Sequence, residues 1–192
     1  MKIDDIINNY IIHINNDLKK LYLNGPDSLV ETFHYVFNSS GKRIRPILTL
    51  LSSKMCGGDI KSSLPAALSL ELLHNFTLVH DDIMDNDQYR RGFKTIHEKW
   101  DIGTGILSGD LILSIALKNL IDNYSNNSDV IKIFSNGLLA VCEGQALDKE
   151  YESIDIITMD EYMKMIDLKT GHLLGMCTDI GSKISNADNF TS

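Results

Sequence analysis

The chain lacks several features that define common protein classes. Its three cysteines are odd in number and have no C-x-x-C spacing, which argues against a disulfide framework and against a zinc site. Basic residues are outnumbered, 18 against 26 acidic ones, and the net charge of −8 argues against the basic surface that nucleic-acid binding requires. No signal-peptide pattern opens the sequence, and no apolar run approaches the ~18 residues of a membrane span. We therefore expect a soluble, cytoplasmic protein without a nucleic-acid partner or stable membrane insertion.

Strand patterns and internal repeats are also missing. Apolar–polar alternation never runs beyond four residues, whereas apolar side chains recur at helical spacing from Ile3 to Leu21 and in most later segments. Pro46 fits the first turn of a third helix, Pro65 opens the helix that precedes an acidic cluster, and Thr158 opens the last helix with a capping box. With 192 residues and no linker, residues 1–192 are predicted to form one all-α domain, a bundle of seven or more helices.

The acidic cluster is a D-D-x-x-D motif formed by Asp81, Asp82 and Asp85. In a helix, Asp81 and Asp85 lie four residues apart on one face, where their charges repel unless a cation lies between them. Mg²⁺ fits this arrangement because it usually takes one or two protein carboxylates and completes its coordination with water and substrate phosphate. The pattern predicts a magnesium–diphosphate site; the alternative is a solvated acidic turn, since three aspartates at this spacing also arise by chance.

Basic residues are concentrated in two short clusters, which lets an acidic protein build a positive pocket. Six of the 18 lysines and arginines belong to Lys42/Arg43/Arg45 and Arg90/Arg91/Lys94. The first cluster lies where a loop enters a helix, and helix N-termini attract anions. It is therefore a candidate diphosphate site, and the alternative for each cluster is a solvated surface patch.

Six motifs in order resemble those of the trans-isoprenyl diphosphate synthases of the polyprenyl synthetase family. They are GKRIRP at 41–46, HDDIMD at 80–85, RRG at 90–92, GD at 109–110, EGQALD at 143–148 and KT at 169–170. The resemblance implies an isoprenoid synthase-type helical bundle, a homodimer, and an Mg²⁺-dependent prenyltransferase. In that family an allylic diphosphate ionises, isopentenyl diphosphate attacks the cation, and loss of a proton leaves a chain five carbons longer.

The resemblance also implies a role for individual residues. It assigns Mg²⁺ binding to the aspartates of the first motif, with Asp82 supporting the other two: Asp81, Asp82 and Asp85. The isopentenyl diphosphate contacts are Lys42, Arg45, His74 and Arg91. The allylic diphosphate contacts are Arg90, Lys169 and Thr170, with Gln145 and Asp148 on that side or in the shell around it. Catalysis is assigned to Asp81, Asp85, Arg90 and Lys169. The other histidines, His80 and His97 among them, are expected to have only surface or packing roles.

Product length in this family is often set by the bulk of residues just before the acidic motif. Phe76 lies five residues before Asp81, and the smaller Thr77 lies four before it. This arrangement resembles the short-chain geranylgeranyl synthases of archaeal type, which implies a C20 product. A plain core aromatic is the alternative for Phe76.

The sequence departs from the family pattern in two places. Lys94 stands where proline is usual, and no second D-D-x-x-D motif is present. Three functions therefore remain open: a short-chain polyprenyl synthase represented by its N-terminal two-thirds, a non-catalytic homologue or subunit that binds diphosphate or a partner synthase, and a class I terpene cyclase. The basic clusters argue against the cyclase, which has no second diphosphate to hold.

Overall fold

In the computed structural model, residues 3–39 and 41–185 are described, and helices account for most of them. The α-helices are α1 (Ile3–Leu18), α2 (Asp27–Asn38), α3 (Ile44–Met55), α4 (Ile60–Met84), the single turn α5 (Ile96–Lys99), α6 (Ile102–Tyr124), α7 (Ser128–Tyr151), α8 (Met159–Ile166) and α9 (His172–Ile184). A π-turn, Asp167–Gly171, joins α8 to α9, and two short strands, β1 (Tyr89–Arg90) and β2 (Phe93–Lys94), pair between α4 and α5. The prediction of an all-α architecture is confirmed.

The residues cluster into two compact units. The first unit comprises residues 1–47 and 64–123, and the second comprises residues 48–63 and 124–192. Treatment of the whole chain as one domain stays a prediction of the sequence.

The first unit is built around the long helix α4, whose middle turns are buried. Leu70, Leu72 and Leu73 are fully buried there, and Ser69 Oγ donates to the Ala116 carbonyl oxygen of α6 at 3.0 Å. The hydroxyls of Ser108 on α6 and Thr32 on α2 are bonded at 2.8 Å. These buried polar contacts fix α2 and α4 against α6, because an unsatisfied hydroxyl in the core is costly.

In the second unit α7 packs against α9 and against the π-turn. A Cβ added at Gly144 of α7 would come within 2.3 Å of the Lys169 backbone nitrogen in that turn, so only glycine permits this approach. Phe134, Leu173 and Ile180 are fully buried and form part of its core.

Several helix boundaries differ from the sequence-based expectation. α4 begins at Ile60 and contains Pro65, because Asp59 accepts a hydrogen bond from the Ser62 backbone nitrogen (2.8 Å) and starts the helix one turn earlier. The predicted last helix is two helices separated by the π-turn, and Lys169 and Thr170 lie in that turn. The capping box at Thr158 is confirmed, with hydrogen bonds between Thr158 and Glu161 in both directions.

The polar segment predicted as a loop after the aspartates contains a tight β-hairpin. Its two turn residues, Arg91 and Gly92, have φ angles of 52° and 84°. Positive φ at both central positions is the signature of the type I′ turn that suits two-residue hairpins. Tyr89 pairs with Lys94 and Arg90 with Phe93, and Tyr35 of α2 donates from its hydroxyl to the Lys94 carbonyl oxygen at 2.8 Å. This hydrogen bond uses only the backbone carbonyl of residue 94, which lysine and proline both have. Lysine in place of the family's usual proline therefore keeps the bond.

Two helices are long and apolar enough, by length and composition alone, to cross a membrane. They are α6 and α7, so the expectation that no apolar run approaches such a length is wrong by this measure. The observation carries little weight for α6, since Ile112, Ala116 and Leu120 are core residues and the core helices of globular proteins have similar composition.

Substitution of Gly144 tests the close packing of α7 on the π-turn. Gly144→Ala should lower the free energy of unfolding by about 1–3 kcal/mol, because the added methyl group displaces backbone. Gly175→Ala on α9 is the matched control: its Cβ meets nothing within 4 Å, and alanine should stabilise the helix by about 0.5–1 kcal/mol. Chemical denaturation of both variants measures the difference, and equal stability would contradict the close approach.

Candidate active site

The three aspartates of the acidic motif have different surroundings at the C-terminal end of α4. Asp81 is half-buried, Asp82 is buried, and Asp85 is exposed just beyond the last helical residue, with its backbone nitrogen 2.9 Å from the Asp81 carbonyl oxygen. The helix therefore presents Asp81 and Asp85 one turn apart, as the spacing predicts.

Arg90 of the hairpin holds Asp82. The Arg90 Nε donates to Asp82 Oδ1 in a short hydrogen bond, and its Nη2 lies 3.7 Å from Asp81 Oδ2 and 3.6 Å from Asp87 Oδ2. Burial raises the pKa of the Asp82 carboxyl, and the Arg90 guanidinium opposes that rise. The side chain of Asp82 is thus committed to Arg90, whereas Asp81 and Asp85 have the greater solvent access.

The residues fit a magnesium ion that shares its coordination with a substrate. Among residues 3–39 and 41–185, no three His, Cys, Asp or Glu side chains are grouped closely enough to hold a metal by themselves. Mg²⁺ does not require such a cage, since it usually binds one or two carboxylates and completes its octahedron with water and phosphate oxygens. Asp81 and Asp85 can supply those two carboxylates.

A basic pocket lies on the same unit and includes all four predicted isopentenyl diphosphate contacts. Lys42, Arg45, His74 and Arg91 line one cavity with the loop from Gly41 onward and Glu71. A Cβ at Gly41 would come within 2.8 Å of Arg91 Nη1, so the glycine lets the hairpin arginine approach the loop. The cavity can receive an anion with several charge-assisted hydrogen bonds.

His74 is electrically neutral in this pocket. Burial lowers the pKa of His74 to about 3, and the nearby Arg45 and Arg91 guanidinium groups add to the effect. The imidazole can therefore donate one hydrogen bond to an anion at neutral pH without a further positive charge.

The two adjacent arginines of the hairpin, Arg90 and Arg91, contact different parts of the site. Arg90 contacts the acidic end of α4, whereas Arg91, the next residue, lines the basic pocket. His74 and Asp81 lie seven residues apart on α4, which corresponds to about 10 Å along one helix face. One helix and one hairpin thus place a basic pocket about two helical turns from Asp81.

The remaining predicted residues belong to the second unit. Lys169 Nζ lies 2.5 Å from Asp148 Oδ2, an ion pair between the π-turn and α7. Thr170 is exposed on the same turn, and Gln145 is half-buried one turn before Asp148, with a buried Nε2 that has no hydrogen-bond partner within the part of the chain that the structure describes. π-helical turns inside helices are frequent at functional sites, and the role expected of Lys169 and Thr170 stays a prediction.

Phe76 and Thr77 precede the carboxylates on α4. The Phe76 ring is half-buried and meets the His80 ring edge to face, with 4.7 Å between centroids. Thr77 donates from its hydroxyl to the His74 carbonyl oxygen at 2.7 Å. A Cβ at Gly109 would lie 2.2 Å from His80 Nε2, which explains the glycine of the G-D pair on α6.

Sequence reasoning missed one charged pair in this region. Arg43, counted above only as a member of a basic cluster, is buried and bonded to the buried carboxylate of Glu71. A glutamate inside the apolar run Leu70–Leu73 was the available signal, because a carboxylate is rarely buried without a partner. Loss of either partner alone would leave an unpaired buried charge, a cost of about 3–5 kcal/mol.

Acid titration tests the neutral state of His74. Its unfolded pKa is near 6.5 and its folded pKa is about 3, so the unfolded chain binds the extra proton first and stability falls as pH drops below 6.5. Between pH 7 and pH 4.5 the wild-type protein should lose about 2–3 kcal/mol more unfolding free energy than His74→Gln. Denaturant titrations at several pH values measure this difference, and parallel pH profiles would contradict it.

Comparison with known proteins gives a consistent result. A model of the polyprenyl synthetase family matches residues 26–192. A geranylgeranyl diphosphate synthase from Methanosarcina mazei is 35% identical, with 98% of this chain and 60% of that protein covered. A short chain isoprenyl diphosphate synthase from Methanocaldococcus jannaschii is 40% identical over 94% of this chain and 55% of its own length. The chain thus spans less than two thirds of these relatives.

Solved structures agree with the sequence relatives. The geranylgeranyl pyrophosphate synthetase from Pyrococcus horikoshii superposes with a TM-score of 0.90 at 36% identity, covering 97% of this chain and 58% of that one. The enzyme of the same name from Geoglobus acetivorans has a TM-score of 0.91 at 34% identity, with 96% and 61% covered. The fold is that of the isoprenoid synthase helical bundles, and the chain belongs to the polyprenyl synthetase family.

Proposed function

We propose that this protein is an Mg²⁺-dependent prenyltransferase that condenses an allylic diphosphate with isopentenyl diphosphate. The observation that carries the proposal is the pair of sites along α4: Asp81 lies two helical turns beyond His74 and its basic pocket, and Asp85 lies one turn further on. A terpene cyclase has one diphosphate to hold and no use for the second pocket. The names of the relatives support a short-chain synthase of geranylgeranyl type, with a C20 product.

The proposed reaction needs electrostatic stabilisation and no covalent nucleophile. The C–O bond of the allylic diphosphate breaks, and its electron pair leaves with the diphosphate. The double bond of isopentenyl diphosphate then forms the new carbon–carbon bond to the allylic cation, and one proton is lost. A bound Mg²⁺ would neutralise charge on the leaving diphosphate.

Each group of residues has a separate task in this scheme. Asp81 and Asp85 hold the metal and Asp82 supports them by fixing Arg90, whose guanidinium is left to face the allylic diphosphate. Lys42, Arg45, His74 and Arg91 bind isopentenyl diphosphate. For Lys169, Thr170 and Gln145 we propose the allylic side, as the resemblance implies. Because these donors are held before substrate arrives, little reorganisation is needed as charge develops.

Cytoplasmic location and a homodimer are proposed from the same resemblance. Exposed apolar side chains on α6, among them Ile102 and Leu107, are compatible with a protein partner. Sedimentation and cell fractionation of the intact protein address both points.

Neutralising each aspartate in turn tests the separate roles. Asp81→Asn and Asp85→Asn should lower kcat/KM by about 10²-fold or more and raise the Mg²⁺ concentration for half-maximal rate, since each removes a metal ligand. Asp82→Asn should instead raise the KM of the allylic diphosphate through Arg90, with the Mg²⁺ requirement unchanged. Asp122→Asn, on an exposed ion pair of α6, is the control.

The aspartate series also separates the alternatives. Wild-type protein that binds diphosphate with Mg²⁺ but never turns over would favour a non-catalytic homologue. A shift in Mg²⁺ requirement for Asp82→Asn as large as that for Asp81→Asn would contradict the division of roles.

A graded series at Phe76 tests the proposed control of product length. Phe76→Leu and Phe76→Ala should give progressively longer products, because each step removes bulk from the part of α4 that precedes Asp81. Phe76→Tyr, which keeps the ring, should leave the distribution unchanged or shorter. Chromatography of the dephosphorylated products measures chain length, and identical products across the series would make Phe76 a plain packing residue.

A further inference from the structure

A buried ion pair, Arg43–Glu71, lies in the wall of the basic pocket and contacts three helical elements. Arg43 Nη1 donates to Glu71 Oε1 of α4 at 2.6 Å, and its Nε donates to Asn15 Oδ1 of α1 at 2.8 Å. The Nη2 of the same guanidinium lies 3.5 Å from the Ser39 carbonyl oxygen at the end of α2. The two charged side chains are only 2% and 4% exposed. One side chain therefore ties the loop before α3 to α1, α2 and α4.

The backbone at Arg43 takes a conformation that side chains other than glycine rarely adopt. Its φ is 51°, in the left-handed region, and its carbonyl oxygen accepts a hydrogen bond from the Ile47 backbone nitrogen at 3.1 Å. Such a conformation persists only where surrounding contacts enforce it. At this position the guanidinium contacts supply that enforcement, and the same turn of the chain sends Arg43 inward while the neighbouring Lys42 stays exposed.

The acidic partner is coupled to the pocket on its other side. Glu71 lies three residues before His74, one turn away on the same face of α4. The Asn75 side-chain nitrogen holds Glu71 from the next turn, 2.7 Å from its carbonyl oxygen and 3.3 Å from Oε1. Because the Glu71 carboxylate lines the cavity, it would repel a diphosphate unless a cation neutralised it, and Arg43 does so.

We propose that Arg43 and Glu71 are positioning residues that fix Lys42 and Arg45 against His74, so that the pocket receives isopentenyl diphosphate in a preformed geometry. The inference rests on the proposed function, because it concerns the site assigned there to that substrate. Both residues line the cavity, but their charged groups are bonded to each other and only 2% and 4% exposed, so in this proposal the pair acts through the loop and not as a donor to the diphosphate. Preformed placement matters because a small misplacement of binding groups causes large losses in affinity and rate.

A double substitution that conserves net charge separates the effect of loop position on diphosphate binding from the effect of the pocket's net charge. Arg43→Met with Glu71→Leu removes one positive and one negative charge, and replacement of a buried ion pair by apolar residues of similar volume is often neutral for stability. The Kd for inorganic diphosphate, measured by calorimetry on the intact protein without Mg²⁺, should rise about tenfold. The thermal midpoint should change little. Lys118→Gln with Asp122→Asn, which removes an exposed ion pair from the same unit, is the matched control and should leave the Kd unchanged.

Steady-state kinetics distinguish positioning from a general structural role. The KM for isopentenyl diphosphate should rise in the double variant, with the KM for the allylic diphosphate and kcat near their wild-type values. Arg43→Lys keeps the charge but cannot make the three guanidinium contacts, so it should show a smaller rise in the KM for isopentenyl diphosphate. This variant replaces the double variant in the test if the double variant does not fold. A wild-type Kd and KM in a folded variant, or an equal loss in both substrates and kcat, would overturn the inference.

A separate pair of variants keeps this inference distinct from the proposed function. Lys42→Gln and Arg45→Gln should each weaken diphosphate binding, because they remove donors of the pocket itself. If neither does so, the assignment of the pocket fails, and the positioning role fails with it. If both weaken binding while Arg43→Lys and the folded double variant bind as the wild type does, only the positioning role is wrong.

Discussion

The repulsion among carboxylates at the C-terminal end of α4 is the constraint around which the first unit is arranged. Negative charge at a helix C-terminus opposes the helix dipole, so nearby positive charge stabilises three aspartates placed there. Arg90 supplies that charge by bonding Asp82 and approaching Asp81 and Asp87. The hairpin that carries Arg90 is therefore an electrostatic partner of the helix as much as a connection between α4 and α5. Under the proposed function, a metal ion would add further positive charge beside Asp81 and Asp85.

Two arginines that line the basic pocket of the first unit, Arg43 and Arg91, have a left-handed backbone conformation. Arg43 and Arg91 have φ angles of 51° and 52°, and each lies in a short turn that directs neighbouring cations to different places. At the hairpin, Arg90 reaches the carboxylates while Arg91 enters the pocket; in the loop before α3, Arg43 is buried while Lys42 is exposed. At Arg43 the unfavourable backbone is enforced by side-chain hydrogen bonds, whereas at Arg91 the positive φ is the one that a type I′ hairpin turn requires. The neutral His74 completes a pocket with donors but one charge fewer than its composition implies.

In the second unit, an irregular helical backbone positions a charged side chain, Lys169. The π-turn between α8 and α9 changes the direction in which Lys169 projects and brings it against Asp148. Gly144 is required beneath the turn because no Cβ fits there. A regular helix through these residues, as the periodicity predicts, would contain no such turn.

Local spacing and residue type were enough to predict the helical class, the capping box at Thr158 and the two basic clusters. The residues expected in the basic pocket followed from the family resemblance. Which of the basic residues is buried and which is exposed depends on the tertiary structure. Arg43 and Lys42 are neighbours with the same charge, yet one is paired with Glu71 in the core and the other is exposed. The partner lies 28 residues away along the chain, and the contact depends on a positive φ at a non-glycine residue. Local sequence patterns cannot predict this contact, because the packing of α1, α2 and α4 brings its atoms together.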